Sequence, residues 1–381
     1  MNDLGIAALE DRARVDFRAL RAQRLERALR EMELADLDAL LLGREANARY
    51  VSGARRLWTV GTRGFAPTCV VLRKTRAVHL LSTWDDGIPA EIPRSHLYQT
   101  SWNPENLLAS LTRIPGLGEA RRIGIDGMSP LFAKLLPTTF PMAEWLDAAM
   151  VLQRARAIKS KDELVCLRTA VAIAEGAWRA MSDELCPGAG ERNLTGRFHA
   201  EAARLGTTIP AFEASFCGSG EPGPRHISGP RHLADGELVA CHAGVLYAGY
   251  EGTVGHTVLC SEGTGSAAQV DLARRLDSLM QALRVVCLPG AKLSMFADAY
   301  AACGEEMPTF PIVHGVGLGV EPPIAGVGGD SDAASLESGS VIAILGQIRG
   351  AGGECAFAQD TLSLSDEACE SFCSLPHHDL Q

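Results

Sequence analysis

The 381-residue sequence has no apolar run that approaches the ~18 residues a transmembrane helix requires. Its N-terminus, MNDLGIAALEDR, lacks the basic start and the apolar core of a signal peptide. The eleven cysteines form no C-x-x-C pair, so the zinc knuckle and the dithiol redox motif are both missing. We therefore expect a cytoplasmic protein with free thiols that does not contact a membrane.

Basic residues are outnumbered by acidic ones, 36 to 46. The net charge is −10 and no run of like charge occurs, so we expect no nucleic-acid partner. The acidic balance favours a cationic ligand without placing its charge at a site. No internal repeat or low-complexity segment is present, whereas 46% hydrophobic residues suffice for sizeable cores. The length of the chain predicts two domains, or one large one.

The first 150 residues alternate between helical and strand patterns, which predicts a smaller α/β domain over residues 1–153. Pro130 stands at a favoured first helical position and predicts a helix there. The other predicted elements are a helix over Arg14 to Leu34 and strands over Leu37 to Leu42, Ala66 to Leu72, Ala77 to Ser82 and Arg122 to Asp126.

Residues 154–381 predict two long helices, then antiparallel strands, then a helix and further strands, the α+β class. Ser160 and Glu163 have the spacing of a capping box that opens the first helix. We expect the tail after Cys373 to be frayed. The remaining predicted helices are Glu191 to Leu205 and Ala267 to Val286, and the predicted strands are Pro210 to Cys217, Glu237 to His242, Val245 to Tyr250, Thr253 to Cys260, Gly339 to Ile348 and Cys355 to Leu364.

Four sequence blocks in this half carry a resemblance. They are S-G-E-P-G-P-R-H ending at His226, the stretch from Leu238 to Thr253, H-G-V-G-L at His314 and F-A-Q-D-T around Gln359. In order, they resemble the signature blocks of the creatinase/prolidase/methionine aminopeptidase superfamily. The resemblance implies a creatinase-like α/β N-terminal domain followed by an α+β pita-bread catalytic domain.

In the metalloenzymes of that superfamily, Asp, Asp, His, Glu and Glu ligate two metal ions. The matching positions here are His242, Thr253, His314, Leu345 and Gln359, of which only the third agrees. A two-metal centre needs several hard oxygen ligands, and no carboxylate remains. We therefore expect no catalytic metal and no cofactor. A single metal on the two histidines stays open, although no third ligand is evident.

His226 is the predicted catalytic residue. It follows the Ser-Gly pair where the resemblance places a histidine that, in metal-free creatinases, acts as base and acid on an amidino group. Histidine titrates near neutrality and can both take and give a proton. The alternatives are a surface-loop histidine, a Cys217/His226 nucleophile pair, and a lesser role for His232.

Five further residues are predicted to line the pocket and bind substrate: His242, Thr253, His314, Glu321 and Gln359. Glu321 would bind a cationic group, or else be a solvated loop carboxylate. His242 would contact the ligand, or else be a satisfied core histidine. His256, three residues after Thr253, should lie on the opposite face of its strand and be structural.

The N-terminal domain supplies two more candidates, Trp58 and Arg63. They lie where creatinase-like dimers pass an aromatic and basic loop into the partner's cavity. The resemblance therefore implies a homodimer in which Trp58 closes the site and Arg63 binds a substrate carboxylate. The alternative is an exposed loop with a buried tryptophan.

The leading hypothesis is a metal-independent, creatinase-like hydrolase or lyase that cleaves a C–N bond of a small, polar, nitrogen-containing metabolite. A second hypothesis is a catalytically inactive pita-bread binding module. A third is a divergent Xaa-Pro-type peptidase, which would require new metal ligands. Val320 argues against the third, because superfamily peptidases have a second histidine before E-P-P.

Overall fold

The computed structural model describes residues 15–55, 67–85, 87–101, 103–127, 129–218, 227–326 and 334–379. The chain divides into two compact units, residues 1–156 and 157–381, against a predicted boundary between 153 and 154. The first unit is α/β and the second α+β, which confirms the predicted fold class. None of the described helices combines the length and the hydropathy needed to cross a membrane.

The first unit contains a six-stranded mixed sheet with strand order β4-β3-β2-β1-β5-β6. The central strand β1 is buried along its whole length, as expected for an apolar run covered on both faces. The strands are β1 (Ala39–Leu42), β2 (Cys69–Leu72), β3 (Ala77–Leu81), β4 (Leu97–Tyr98), β5 (Arg122–Ile125) and β6 (Glu144–Asp147). The helices are α1 (Phe17–Leu34), α2 (Glu45–Ser52), α3 (Pro104–Thr112), α4 (Pro130–Thr139) and α5 (Ala149–Ala157).

Most elements predicted for this unit are confirmed. Helix α1 begins after Asp16, whose side chain accepts a hydrogen bond from the amide of Ala19. Strands β2 and β3 pair in antiparallel fashion across the basic turn, as predicted. Helices α2 and α3 were not predicted. Trp58 and Arg63 lie outside the described residues.

The second unit contains a nine-stranded sheet. Its main path is β11-β10-β12-β13-β9-β8-β7, with β14 on β13 and β15 on β9. The strands are β7 (Ser215–Gly218), β8 (Glu237–Tyr247), β9 (Tyr250–Cys260), β10 (Pro311–Gly317), β11 (Gly319–Gly326), β12 (Val341–Arg349), β13 (Cys355–Leu364), β14 (Cys369–Ser371) and β15 (His378–Asp379). The helices are α6 (Lys161–Ser182), α7 (Glu191–Leu205), α8 (Ala267–Val286) and α9 (Ser294–Ala302).

The helices pack on one face of this sheet. Alternate residues of β12 and β13, such as Ile344 and Ala358, pack against Leu276 and the rest of α8. Val254 and neighbouring alternate residues of β8 and β9 pack against α6 and α7. The intervening residues point to the opposite face, which we call the site face.

The cap of α6 and the orientation of His256 follow the sequence predictions. Ser160 and Glu163 form the complete capping box that opens α6. His256 is buried on the helix-covered face, where its ring centroid lies 4.4 Å from that of Trp178. Its Nδ1 hydrogen-bonds to the carbonyl oxygen of Pro376 at 2.6 Å. These contacts confirm the prediction that His256 lies on the face opposite to Thr253.

Two predicted strands need correction. The strand expected over Val245 to Tyr250 is wrong, because β8 continues to Tyr247 and a tight turn then leads directly into β9. Ala248 and Gly249 adopt positive φ angles of 51° and 90° in this turn, a conformation that glycine accommodates without strain. The strand expected over Pro210 to Cys217 is shorter than predicted and spans only β7.

The C-terminal tail is ordered rather than frayed. Beyond the bridge between Gln359 and Gly255, β13 pairs with β14 and β9 pairs with β15. The buried Glu175 carboxylate of α6 accepts hydrogen bonds from the backbone amides of Ser374 and Leu375 at 2.5 and 3.0 Å. It also accepts one from the Ser374 hydroxyl. The tail therefore completes the sheet region where β9 and β13 separate.

Replacing Glu175 by glutamine should destabilise the second unit by about 1–3 kcal/mol. The glutamine side chain has one acceptor oxygen for the three donors that the Glu175 carboxylate now binds. Its NH₂ group would face backbone N–H groups, which are also donors. Urea unfolding measures the change, and proteolysis should cut the released tail first. Glu262→Gln, at an exposed position, is the matched control and should change little. Equal stability of the two variants would contradict this anchoring role.

Candidate functional site

Gly255 lies at the centre of the site face. It pairs with His242 of β8 on one side and with Gln359 of β13 on the other. A Cβ atom on residue 255 would lie 2.5 Å from the Cβ of Gln359 and 2.7 Å from its backbone nitrogen. Because glycine has no side chain, His242 and Gln359 can meet above it.

Three of the predicted residues are joined in one hydrogen-bonded chain. The Oε1 atom of Gln359 accepts a hydrogen bond from Nε2 of His242 at 2.8 Å. The Nε2 atom of Gln359 donates to Oγ1 of Thr253 at 2.5 Å. Thr253 lies two residues before Gly255 in β9, so alternation places both on the site face. The side-chain amide of Gln359 is thus bonded at both ends.

Two aromatic rings hold the imidazole of His242. The centroid of Phe212 lies 4.4 Å from the imidazole centroid, and that of Phe357 lies 5.1 Å from it. Because the acceptor is a carbonyl oxygen, His242 carries a hydrogen on Nε2, which leaves the lone pair of the neutral ring on Nδ1. The contacts with Phe212 and Phe357 were not predicted from the sequence.

Leu345 and His314 lie on the same face. Leu345 pairs with Gln359 across β12 and β13, and His314 pairs with Ala343 across β10 and β12. Nδ1 of His314 donates to the carbonyl oxygen of Gly315 at 3.0 Å. Burial lowers the pKa of His314, against the opposing effect of that hydrogen bond. The neutral ring therefore has its lone pair on Nε2.

These residues do not fit the two-metal centre that the resemblance would imply. Leu345 has no donor atom, and both ends of the Gln359 amide are engaged within the protein. The remaining groups are two imidazoles and one hydroxyl, none of which carries the negative charge that two divalent ions require. Among the described residues, no cluster of three or more His, Cys, Asp or Glu side chains is arranged to hold a metal ion.

Glu321 is buried in β11 and is not a solvated loop residue. Its Oε2 lies 2.8 Å from Nζ of Lys159, which is itself buried, and its Oε1 accepts a hydrogen bond from the amide of Leu318 at 3.0 Å. Both carboxylate oxygens therefore have protein partners. Lys159 was not predicted as part of the site.

Glu251 is a second site-face residue that the sequence analysis missed. It precedes Thr253 by two residues in β9, so alternation places it on the same face. Its side chain is buried, and burial together with the nearby Glu321 carboxylate raises the pKa of Glu251 to about 7. Strand alternation from Thr253 is the signal that would have found it.

His226, the predicted catalytic residue, falls within 219–226, outside the described residues. The chain on either side of that segment is held by one buried carboxylate. Glu191 accepts hydrogen bonds from the amides of Gly218 at 3.4 Å and Gly229 at 2.7 Å. Glu191 therefore fixes the two points between which the segment with His226 runs.

The two other candidates near that segment differ in exposure. Cys217 is buried in β7, and its Sγ donates to the carbonyl oxygen of Ile227 at 3.4 Å. This contact engages the thiol with the backbone. His232 is exposed and forms an isolated β-bridge with Gly190. Neither this exposure nor this bridge connects His232 with the residues of the site face.

Replacing Gly255 by alanine should break the contact between His242 and Gln359 and destabilise the second unit by about 1–3 kcal/mol. The new methyl group overlaps Gln359 and would also lie 2.8 Å from Cε1 of Phe357, so β13 must shift. Urea unfolding measures the cost. Gly263→Ala is the control, because its nearest neighbour, Oγ of Ser261, would lie 3.7 Å away. Unchanged stability of the Gly255 variant would refute the packing argument.

Comparison with known proteins follows the division into two units. The profile of Metallopeptidase family M24 matches residues 165–362, and that of the Creatinase/Prolidase N-terminal domain matches residues 24–158. The Xaa-Pro aminopeptidase of Escherichia coli (strain K12) is 32% identical over 117 residues, which are 30% of this chain and 26% of that protein. The alignment thus spans about a quarter of the curated relative.

Solved structures share the fold over nearly the whole chain. The prolidase from Pyrococcus horikoshii OT3 superposes with a TM-score of 0.77 at 19% identity, covering 94% of this chain and 99% of that one. The X-Pro aminopeptidase from Thermotoga maritima MSB8 gives a TM-score of 0.77 at 17% identity, with 93% and 99% covered. Because the family profile covers more than half of the sequence, the chain belongs to metallopeptidase family M24, a family of hydrolases.

Proposed function

We propose that the chain hydrolyses a C–N bond of a small polar substrate bound on the site face, using side-chain proton transfer rather than a two-metal hydroxide. The observation that carries this proposal is the hydrogen-bonded chain His242–Gln359–Thr253, which stands at positions where the metalloenzymes have carboxylates. Neutral donors and acceptors of this kind can hydrogen-bond a polar substrate and orient it.

In this proposal the roles are divided among the residues. His226 takes a proton from water as the water oxygen bonds to the carbon, and returns it to the nitrogen as the C–N bond breaks. The products are the hydroxylated carbon fragment and the free amine, so atoms and protons balance. His242, Gln359, Thr253 and His314 hold the substrate.

Xaa-Pro peptide hydrolysis is the second candidate. It is favoured by the similar proteins, which include prolidases and Xaa-Pro aminopeptidases. The donor chemistry of the five ligand positions argues against the metal-dependent form of that reaction. Proline peptides therefore belong in any substrate panel, beside amidino compounds such as creatine.

The homodimer and the substrate contacts of Trp58 and Arg63 remain predictions. Both residues fall within 56–66, outside the described part of the chain. The dimer is motivated by the two-domain plan that the chain shares with creatinase-like proteins.

Turnover of substrates from a panel of amidino compounds and proline peptides should survive removal of metal ions. The purified protein should retain its rate in excess EDTA and gain no more than about twofold from added Mn²⁺ or Zn²⁺, since the ligand positions lack carboxylates. Initial rates and elemental analysis of the same samples test this. A rate that falls with chelation and returns with metal would favour the metallopeptidase alternative. Ligand binding without any turnover would favour the inactive binding module.

His226→Asn should lower kcat by about 10²–10⁴-fold, because an amide can hydrogen-bond but cannot exchange a proton near neutral pH. The unfolding midpoint should stay close to that of the unchanged protein. His232→Asn, an exposed histidine six residues further on, is the control and should retain full rate. Full activity of the His226 variant combined with an inactive Cys217→Ala variant would instead support the thiol mechanism.

A further inference from the structure

We propose that the carboxylate of Glu251 binds the cationic nitrogen group, an ammonium or an amidinium, of the ligand that enters the site face. The proposal relies on the proposed function only in taking this face as the one that receives the ligand. It adds a binding position and a charge requirement that the resemblance does not supply, because the five metal-ligand positions do not include residue 251.

The surroundings of Glu251 leave its carboxylate directed at the site face. The side chain is only 5% exposed, and no described residue donates a hydrogen bond to it. Gly319 lies opposite, where a Cβ atom would come within 3.9 Å of Oε2 of Glu251. The absence of a side chain at that point leaves room beside the carboxylate.

The neighbouring buried carboxylates are already satisfied. Glu321 has Lys159 on one oxygen and the amide of Leu318 on the other. Glu163 caps α6 and accepts a hydrogen bond from the Tyr250 hydroxyl at 2.9 Å on the helix-covered side of β9. Glu251 therefore has acceptor capacity that no described residue uses.

Electrostatics favour a cation at this position. If Glu251, Glu321 and Lys159 are all ionised, the three side chains together carry one uncompensated negative charge. Burying such a charge without a partner costs free energy. A bound ammonium or amidinium would supply the missing positive charge, and an amidinium can donate two parallel hydrogen bonds to a carboxylate.

Binding of a cation should therefore be linked to loss of a proton from Glu251. Glu321 of β11 is the charged group that acts on Glu251, and Glu321 is itself paired with Lys159. The titratable residues His242 and His314 lie on the same face of the sheet. Glu321 is the neighbour that raises the pKa of Glu251 after burial itself. A cation binds the ionised form, so its affinity should rise with pH through about 7 and then level off.

Benzamidine and benzamide provide a matched pair of probes, since they differ in charge but hardly in shape. Calorimetric titration of the full chain at pH 8 should show benzamidine binding at least about tenfold more tightly than benzamide, and benzylamine tests the ammonium form. Glu251→Gln should remove most of the benzamidine affinity and leave benzamide unchanged. Glu337→Gln, the same change at an exposed position, should alter neither.

Between pH 8 and pH 6 the affinity for benzamidine should fall severalfold in the unchanged protein and stay level in Glu251→Gln. Equal binding of benzamide and benzamidine, no binding of either cation, or full affinity in Glu251→Gln would overturn the proposal. Binding of benzylamine but not benzamidine would support it with an ammonium as the ligand group.

A second measurement does not depend on any ligand. The raised pKa of Glu251 means that its stabilising protonated form is fully present below pH 4.5 and is lost as pH rises through about 7. Glu251→Gln should therefore raise the urea midpoint more at pH 8 than at pH 5. Glu337→Gln should leave the midpoint unchanged at both pH values. An unchanged midpoint at pH 8 would contradict an unpaired buried carboxylate.

These outcomes separate this proposal from the proposed function. Cation binding through Glu251 in a protein without turnover would leave this proposal standing and refute the hydrolase. Turnover that is indifferent to Glu251 and to substrate charge would do the reverse.

Discussion

The hydrogen-bonded chain from His242 through Gln359 to Thr253 depends on three strands keeping one register. Its members lie on β8, β13 and β9, and they meet only because Gly255 leaves space between His242 and Gln359. A one-residue slip of any of these strands would turn its member toward the helices. The packing of α6 and α8 on the opposite face therefore fixes the site as well as the core.

Buried carboxylates show how strictly this unit pairs its charges. Glu175 binds the C-terminal tail, Glu191 binds the amides of Gly218 and Gly229, and Glu321 binds Lys159. An unpaired buried charge costs far more than a paired one, so each of these contacts relieves a penalty. Glu251 differs from the other three because the charged neighbour that acts on it, Glu321, has the same sign. Of these four carboxylates, Glu251 therefore has the most to gain from a cationic ligand.

Sequence patterns predicted the regular elements well because they depend on local chemistry. The capping box at Ser160, the helix Ala267–Val286 and the strand Cys355–Leu364 all follow from periodicity and caps. Other features depend on distant partners. Glu175 and Ser374 are 199 residues apart, and Lys159 and Glu321 are 162 apart, so neither contact leaves a local pattern. The order of the tail and the pairing of Glu321 were missed for that reason.

The altered ligand positions are better explained as one linked change than as separate losses. Four carboxylates around two divalent ions are nearly balanced in charge, but without the ions they repel one another in a buried site. Neutral replacements remove that repulsion, provided that their polar atoms find partners. The amide of Gln359 does this by bonding His242 and Thr253 at once, and Leu345 beside it needs no partner. A face reorganised in this way has neutral donors and acceptors at its centre and one carboxylate, Glu251, without a protein partner among the described residues. That distribution suits a ligand with a single positive charge better than it suits a pair of metal ions.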